Sequence, residues 1–201
     1  MMDADWSVEC AADDPFVVIP WKNVAGTVTY IDLRLFPDAL LEIQEAAEHS
    51  ALAAALRRWN QPHSPIFTAK CDVWVYPAEL FDMEDLPGFA FAQGSYVDIL
   101  QRDPVPFASL PAALAQLRKW SHAARATDVP DARSEWTLRR ALIFPPGMQP
   151  GEPAETPALQ GYATSLYVWG YGLTPVAADA AWAQAIHSVI PIVLTTGNFT
   201  P

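Results

Sequence analysis

Residues 67–76 read Phe67-Thr68-Ala69-Lys70-Cys71-Asp72-Val73-Trp74-Val75-Tyr76, and two kinds of side chain alternate along them. One side of an extended chain would carry small or apolar residues, namely Ala69, Cys71, Val73 and Val75. The other side would carry Lys70, Asp72, Trp74 and Tyr76. A period of two is typical of a β-strand with one buried face, so the stretch predicts a strand whose second face is aromatic and charged.

Four more stretches alternate in the same way, over residues 27–36, 95–100, 136–144 and 161–172. Opposite their apolar sides they carry Tyr30, Asp32, Arg34, Tyr96, Asp98, Arg139, Tyr167, Trp169 and Tyr171. The apolar run of residues 16–21 precedes the first of them, and the two together predict a hairpin.

Apolar residues at helical spacing follow each pair of predicted strands. Residues 37–59 predict a helix with a break near His49 and Ser50, Ser109 is a candidate cap for a second helix, and Thr174-Pro175 begins a third that covers 176–189 before Pro191. The order strand, strand, helix then occurs three times. We expect an α+β fold in one domain of residues 1–201, with a mainly antiparallel sheet of about six strands and helices on one face.

The aromatic and charged sides of the strands share one surface if the apolar sides face the helices. Its members are Tyr30, Asp32, Lys70, Asp72, Trp74, Tyr76, Tyr96, Asp98, Tyr167, Trp169 and Tyr171. Tyr and Trp with a few charges are typical of recognition surfaces. Three other roles for this face stay open: cross-strand pairs that only stabilise the sheet, a surface covered by residues 77–88 or 145–157, and a homodimer interface.

The charge of the chain favours a basic protein partner. Among 201 residues, 23 Asp and Glu outnumber 12 Lys and Arg, which gives a net charge of -11. This charge repels nucleic-acid phosphates and attracts cationic surfaces. The leading hypothesis is a non-enzymatic binding protein, such as an inhibitor or immunity-type protein that masks a cationic toxin, with no cofactor and no metal.

One group of residues supports an enzyme as the alternative. Asp32, Asp72 and Asp98 fall midway along predicted strands on the same side. Adjacent strands would set carboxylates about 5 Å apart, close enough to hold Mg²⁺ for phosphoryl transfer. The motifs GxSxG, GxxxxGK[ST], GxGxxG and HExxH do not occur in the sequence.

The sequence also predicts a compartment. Cys10 and Cys71 form no CxxC pair, which is typical of free thiols in a reducing environment. The first residues are acidic where a signal peptide would be basic, and no run of apolar residues reaches the roughly 18 that a membrane span requires. We expect a cytoplasmic protein with no membrane partner.

Overall fold

The computed structural model describes residues 1–23, 25–77, 88–144 and 158–195, and within them six strands form one sheet. The strands are β1 (Asp3–Glu9), β2 (Val17–Ile19), β3 (Ile66–Pro77), β4 (Phe91–Gln101), β5 (Ala132–Ile143) and β6 (Leu159–Gly172). Their order is β1-β5-β6-β4-β3, and β2 also pairs with β5, farther along that strand than β1.

The sheet is mixed, so the expectation of a mainly antiparallel sheet is wrong. β3, β4, β6 and β5 are antiparallel neighbours, whereas β1 and β2 both run parallel to β5. No tight turn joins β1 or β2 to β5, so local sequence does not dictate their direction. The broader expectation of an α+β fold is confirmed.

Three long helices cover one face of this sheet. The chain forms a 3-10 helix (Pro37–Glu42) and the α-helices α1 (Gln44–Glu48), α2 (Ser50–Trp59), α3 (Pro104–Ala108), α4 (Leu110–Arg125) and α5 (Pro175–Leu194). Helices α2, α4 and α5 enclose the main core with the sheet, where the largest fully buried side chains are Trp59, Trp120, Trp136 and Trp182. The short α3 places Phe107 on the opposite face. The expectation of helices on one face therefore holds for the three long helices but not for α3.

The helix boundaries follow the sequence signals closely. Ser109 accepts a hydrogen bond from the Ala112 amide at 3.4 Å, and Thr174 accepts one from Ala177 at 3.2 Å, as expected of caps. The predicted break falls at His49, which is extended, although Ser50 is not the cap. Helix α5 does not end before Pro191 but runs on to Leu194, because its last turn packs into the main core.

Helix α5 is also long and apolar enough to cross a membrane by length and composition alone. The expectation that no segment reaches this threshold is therefore wrong. In the fold, α5 packs against β6, β4 and α2, with Trp182, Ile186 and Val189 buried in the main core.

The first predicted strand–strand–helix unit does not form, whereas the pairs β3–β4 and β5–β6 are each followed by helices. Residues 16–23 and 25–36, here called the arm, are irregular apart from β2, and the predicted hairpin is reduced to one bridge between Lys22 and Thr29. The arm begins beside β5, and the Trp21 indole donates a hydrogen bond to the Ala69 carbonyl of β3 at 2.9 Å. It therefore crosses β6 and β4 on the face opposite the long helices.

A second, smaller core lies beneath the arm. Its buried members are Val17, Ile19, Phe67, Leu100, Phe107, Ala141 and Ala163. The Arg34 guanidinium caps this core, 3.8 Å from the centroid of the Phe67 ring. Two backbone hydrogen bonds of the predicted hairpin remain, donated by Tyr30 to Trp21 and by Asn23 to Val28, both at 2.9 Å. The arm and its core leave only part of this sheet face uncovered.

Candidate functional site

The uncovered part of this face is organised in rows that cross the strands. The first row contains Trp74, Gly94, Trp169, Arg133 and Asp3. The second contains Asp72, Tyr96, Tyr167, Glu135 and Asp5. The third contains Asp98, Ser165, Thr137 and Ser7, with Lys70 beside Asp98 on β3.

Five rings from β3, β4 and β6 form a continuous cluster, here called the aromatic patch. Its members are Trp74, Tyr76, Tyr96, Tyr167 and Trp169. Neighbouring ring centroids lie 5.7 to 6.2 Å apart, within the range of favourable aromatic pairs. Tyr76 is 39% exposed and the other four are partly buried, so the rings both stabilise the sheet and present contact area to a partner.

The absence of a side chain at Gly94 shapes the patch. A Cβ atom at this position would lie 2.4 Å from Nε1 of Trp74 and 3.1 Å from Cδ1 of Trp169. Both indoles therefore lie close against the β4 backbone, which a larger residue would prevent. Gly94 is not among the residues predicted for this face, although a glycine inside a strand often marks such a close approach.

Carboxylates stand at both ends of the tyrosine row. Asp72 pairs with Tyr96 at one end, and Glu135 and Asp5 follow Tyr167 at the other. Asp72 and Asp5 are exposed and Glu135 is partly buried. The only basic residue in the neighbouring tryptophan row, Arg133, lies 3.9 Å from Asp3. Along these two rows the aromatic patch is therefore flanked mainly by negative charge, whereas Lys70 and Arg139 lie on the side of the third row.

The third row contains a β-bulge in β3. The pairing of β3 with β4 shifts between Thr68 and Cys71, so that Ala69 and Lys70 together face Asp98. Ala69 consequently packs on the small core beneath the arm, and its predicted place on the apolar side of β3 is wrong. The bulge directs Lys70 toward the cavity described next.

A cavity of about 400 Å³ lies between the edge of the arm and the tyrosine row. It is lined by Phe16, Val17, Val18, Trp21, Lys70, Tyr96, Asp98, Arg139 and Tyr167. We call it the Asp98 cavity. Because Tyr96 and Tyr167 also belong to the aromatic patch, the cavity opens directly onto it.

Asp98 is the buried acid of this cavity, with 6% of its surface exposed. The Ser165 hydroxyl donates a hydrogen bond to its carboxylate at 2.5 Å. Burial raises the pKa of Asp98 to about 6, although the Ser165 hydrogen bond and the charges of Arg139 and Lys70 act in the opposite direction. The carboxyl group therefore changes its protonation state in the physiological range of pH.

Two cations approach Asp98 from opposite sides. The Lys70 ammonium lies 5.5 Å from the centroid of the Trp21 ring and 5.6 Å from that of Tyr96. Arg139 forms an ion pair with Glu9 at 2.8 Å and donates a hydrogen bond to the Tyr167 hydroxyl at 3.3 Å. The cavity thus combines fixed positive charge, a titratable acid and aromatic walls.

Two residues predicted for this face are placed elsewhere. Tyr30 and Asp32 belong to the arm and not to a strand, so their predicted strand positions are wrong. Asp32 accepts two hydrogen bonds from the Arg34 guanidinium, at 2.8 and 2.6 Å, and lines a separate cavity of about 520 Å³. Burial would raise the pKa of Asp32, but the Arg34 contacts outweigh it and the net pKa is lowered. The desolvated Tyr30 has its pKa raised to about 12.

The remaining predicted residues lie on the expected strands, but Tyr171, like Asp98, is buried and not exposed. Tyr171 faces the same side but is buried, with its ring centroid 5.7 Å from that of Phe89. The proposed covering by residues 77–88 or 145–157 falls mainly outside the described residues. Asp72 and Asp98 lie on neighbouring strands without Asp32, and no group of three His, Cys, Asp or Glu side chains within the described ranges is placed to hold a metal ion.

The site therefore has two connected parts with different chemistry. The aromatic patch offers rigid contact area between carboxylates, and the Asp98 cavity offers a partly open volume with two cations and one buried acid. Comparisons with protein-family models, curated proteins and solved structures find no match for this chain. The geometry of the two parts is the basis for a functional proposal.

Proposed function

We propose that the protein is a binding protein whose aromatic patch engages a basic segment of a protein partner. The observation that supports this proposal is the tyrosine row, which has Asp72 at one end and Glu135 and Asp5 at the other. An arginine or lysine laid across the row would contact a ring face and a carboxylate together. Such pairing gives both affinity and a fixed orientation.

The energetic roles within the interface follow from burial. Trp74 and Trp169 are large, partly buried and held against Gly94, so little side-chain entropy is lost when a partner covers them. The flanking carboxylates and the net charge of -11 speed the encounter with a cationic partner. An inhibitor or immunity-type protein that masks a basic partner works by this combination.

A second copy of the chain is the competing occupant of the patch. Self-association would bring two negatively charged surfaces together, and like charges across an interface are unfavourable. Sedimentation equilibrium at low and high salt distinguishes the two cases. A dimer that dissociates when Trp74 is replaced would assign the patch to self-association and contradict the proposal.

We expect the double substitution Trp74→Ala and Trp169→Ala to weaken binding of a basic probe about tenfold or more, because it removes the two largest anchors. The probe is a fluorescein-labelled peptide of alternating arginine and glycine, and fluorescence anisotropy measures its Kd. The matched control is Trp6→Ala, since Trp6 is exposed but lies on the opposite face of the sheet.

A labelled peptide of alternating glutamate and glycine tests the charge preference in the same assay. Wild-type protein should bind it far more weakly than the arginine peptide. Equal affinity for the two peptides, or an equal loss of affinity in Trp6→Ala and the double variant, contradicts the proposed function.

A further inference from the structure

We propose that the Asp98 cavity is a separate ligand site, which takes a small organic anion with an apolar or aromatic body. The Asp98 cavity does not depend on the protein partner, because it is a partly open volume beside the aromatic patch and takes ligands of a different kind. It rests on the convergence of charge, shape and apolar wall in one cavity of about 400 Å³, a volume typical of small-molecule sites.

Fixed positive charge is the first argument for an anion. Lys70 reaches the cavity from the β3 bulge and Arg139 reaches it from β5, on the other side of Asp98. Arg139 is already paired with Glu9. Among the described residues, no carboxylate lies within ion-pair distance of the Lys70 ammonium, which leaves this cation available to a ligand.

The walls supply the second argument, because they suit the body of an organic molecule. The arm contributes Phe16, Val17, Val18 and Trp21, and the sheet contributes the rings of Tyr96 and Tyr167. A flat body between these groups would contact side-chain carbons of the arm and the tyrosine rings, and the polar remainder of the lining would contact its charged group. A small inorganic anion would leave most of that surface unfilled.

The protonation state of Asp98 determines the pH range in which the anion binds. Ionised Asp98 would repel a ligand anion, whereas the protonated acid can donate a hydrogen bond to it while still accepting one from Ser165. The other charged or titratable groups around it come from five strands. They are Glu9 from β1, Lys70, Cys71 and Asp72 from β3, Tyr96 from β4, Arg139 from β5 and Tyr167 from β6. Burial raises the pKa of both tyrosines, so neither loses its proton near neutral pH. The ligand therefore binds together with a proton on Asp98.

The test uses 4-toluenesulfonate, which stays ionised between pH 5.5 and 8, and the neutral 4-toluenesulfonamide as its matched control. Isothermal titration calorimetry at pH 5.5 should show one saturable site for the sulfonate and much weaker binding of the sulfonamide. At pH 8 the sulfonate should bind about tenfold more weakly or worse, because only a small fraction of Asp98 is then protonated.

Three variants distinguish binding in the Asp98 cavity from nonspecific binding of the sulfonate. Lys70→Met should weaken sulfonate binding about tenfold, whereas Lys22→Met, which changes an exposed lysine outside the cavity, should leave it unchanged. Asp98→Asn should bind with similar affinity at pH 5.5 and pH 8. Thermal melts of each variant establish that it is folded.

Several results would overturn the proposal. Absence of saturable sulfonate binding in the wild type at pH 5.5, or equal affinity for sulfonate and sulfonamide, removes the anion preference. A pH dependence that persists in Asp98→Asn removes the role of Asp98. Because the arginine peptide is assayed separately, failure here leaves the partner-binding proposal intact, and failure of the peptide assay leaves this one intact.

Discussion

Asp98→Asn is expected to raise the free energy of unfolding by about 3 kcal/mol at pH 8. The pKa of Asp98 is about 6 in the folded protein against an ordinary value of 3.8, so between these pH values the folded state keeps a proton that the unfolded chain has released. Wild-type stability therefore falls as the pH rises from about 4 through 6, and the loss is complete above that range. Asparagine never ionises and can still accept the Ser165 hydrogen bond, so it avoids this cost.

Urea unfolding of wild type and variant at pH 4 and pH 8 measures the effect. The two proteins should differ little at pH 4, which is close to the pKa of 3.8 in the unfolded chain, and most at pH 8. Asp72→Asn is the matched control, because Asp72 is an exposed carboxylate on the adjacent strand. A destabilisation by Asp98→Asn that is the same at both pH values would contradict this account.

Gly170→Ala is expected to lower the free energy of unfolding by about 3 kcal/mol or more. The new Cβ would lie 2.0 Å from the backbone nitrogen of Trp182 and 2.5 Å from the carbonyl oxygen of Ala178, both in α5. A helix backbone cannot move aside locally. The clash is therefore removed only if α5 moves away from β6, and this movement would open the main core around Trp182.

The comparison variant is Gly94→Ala, in which the new Cβ meets the indole of Trp74 instead of helix backbone. A side chain can rotate away, so we expect a smaller loss of stability. Urea unfolding of both variants at one pH gives the difference. Equal losses would show that contact with helix backbone is not the decisive factor at Gly170.

Much of the fold could be predicted because its signals are local. The alternation in residues 67–76, 95–100 and 161–172 identified β3, β4 and β6, and the caps at Ser109 and Thr174 marked the starts of α4 and α5. The same alternation placed Asp72, Trp74, Tyr96 and Tyr167 on one face. The error at Ala69 has a specific cause, since one extra residue in a bulge changes the side on which its neighbours fall.

The parts that could not be predicted depend on distant partners. Residues 3–9 do alternate, with Asp3, Asp5, Ser7 and Glu9 opposite apolar residues, but the sequence analysis did not interpret this signal as a strand. Even if recognised, the pattern does not specify pairing with β5 or a parallel direction. The arm carries strand-like alternation yet packs as irregular chain, so the Asp98 cavity beneath its edge could not be inferred. The role of the aromatic patch in partner binding stays a prediction.

The pairing of β1 and β2 with β5 has a consequence for the order in which the chain assembles. Strand β1 lies beside residues 133–139 and β2 beside residues 141–143, so neither has its hydrogen-bonding partner until ribosomal synthesis has passed those positions. Long-range pairing of this kind is slow to form. Both strands are thus synthesised well before β5, the strand to which they dock.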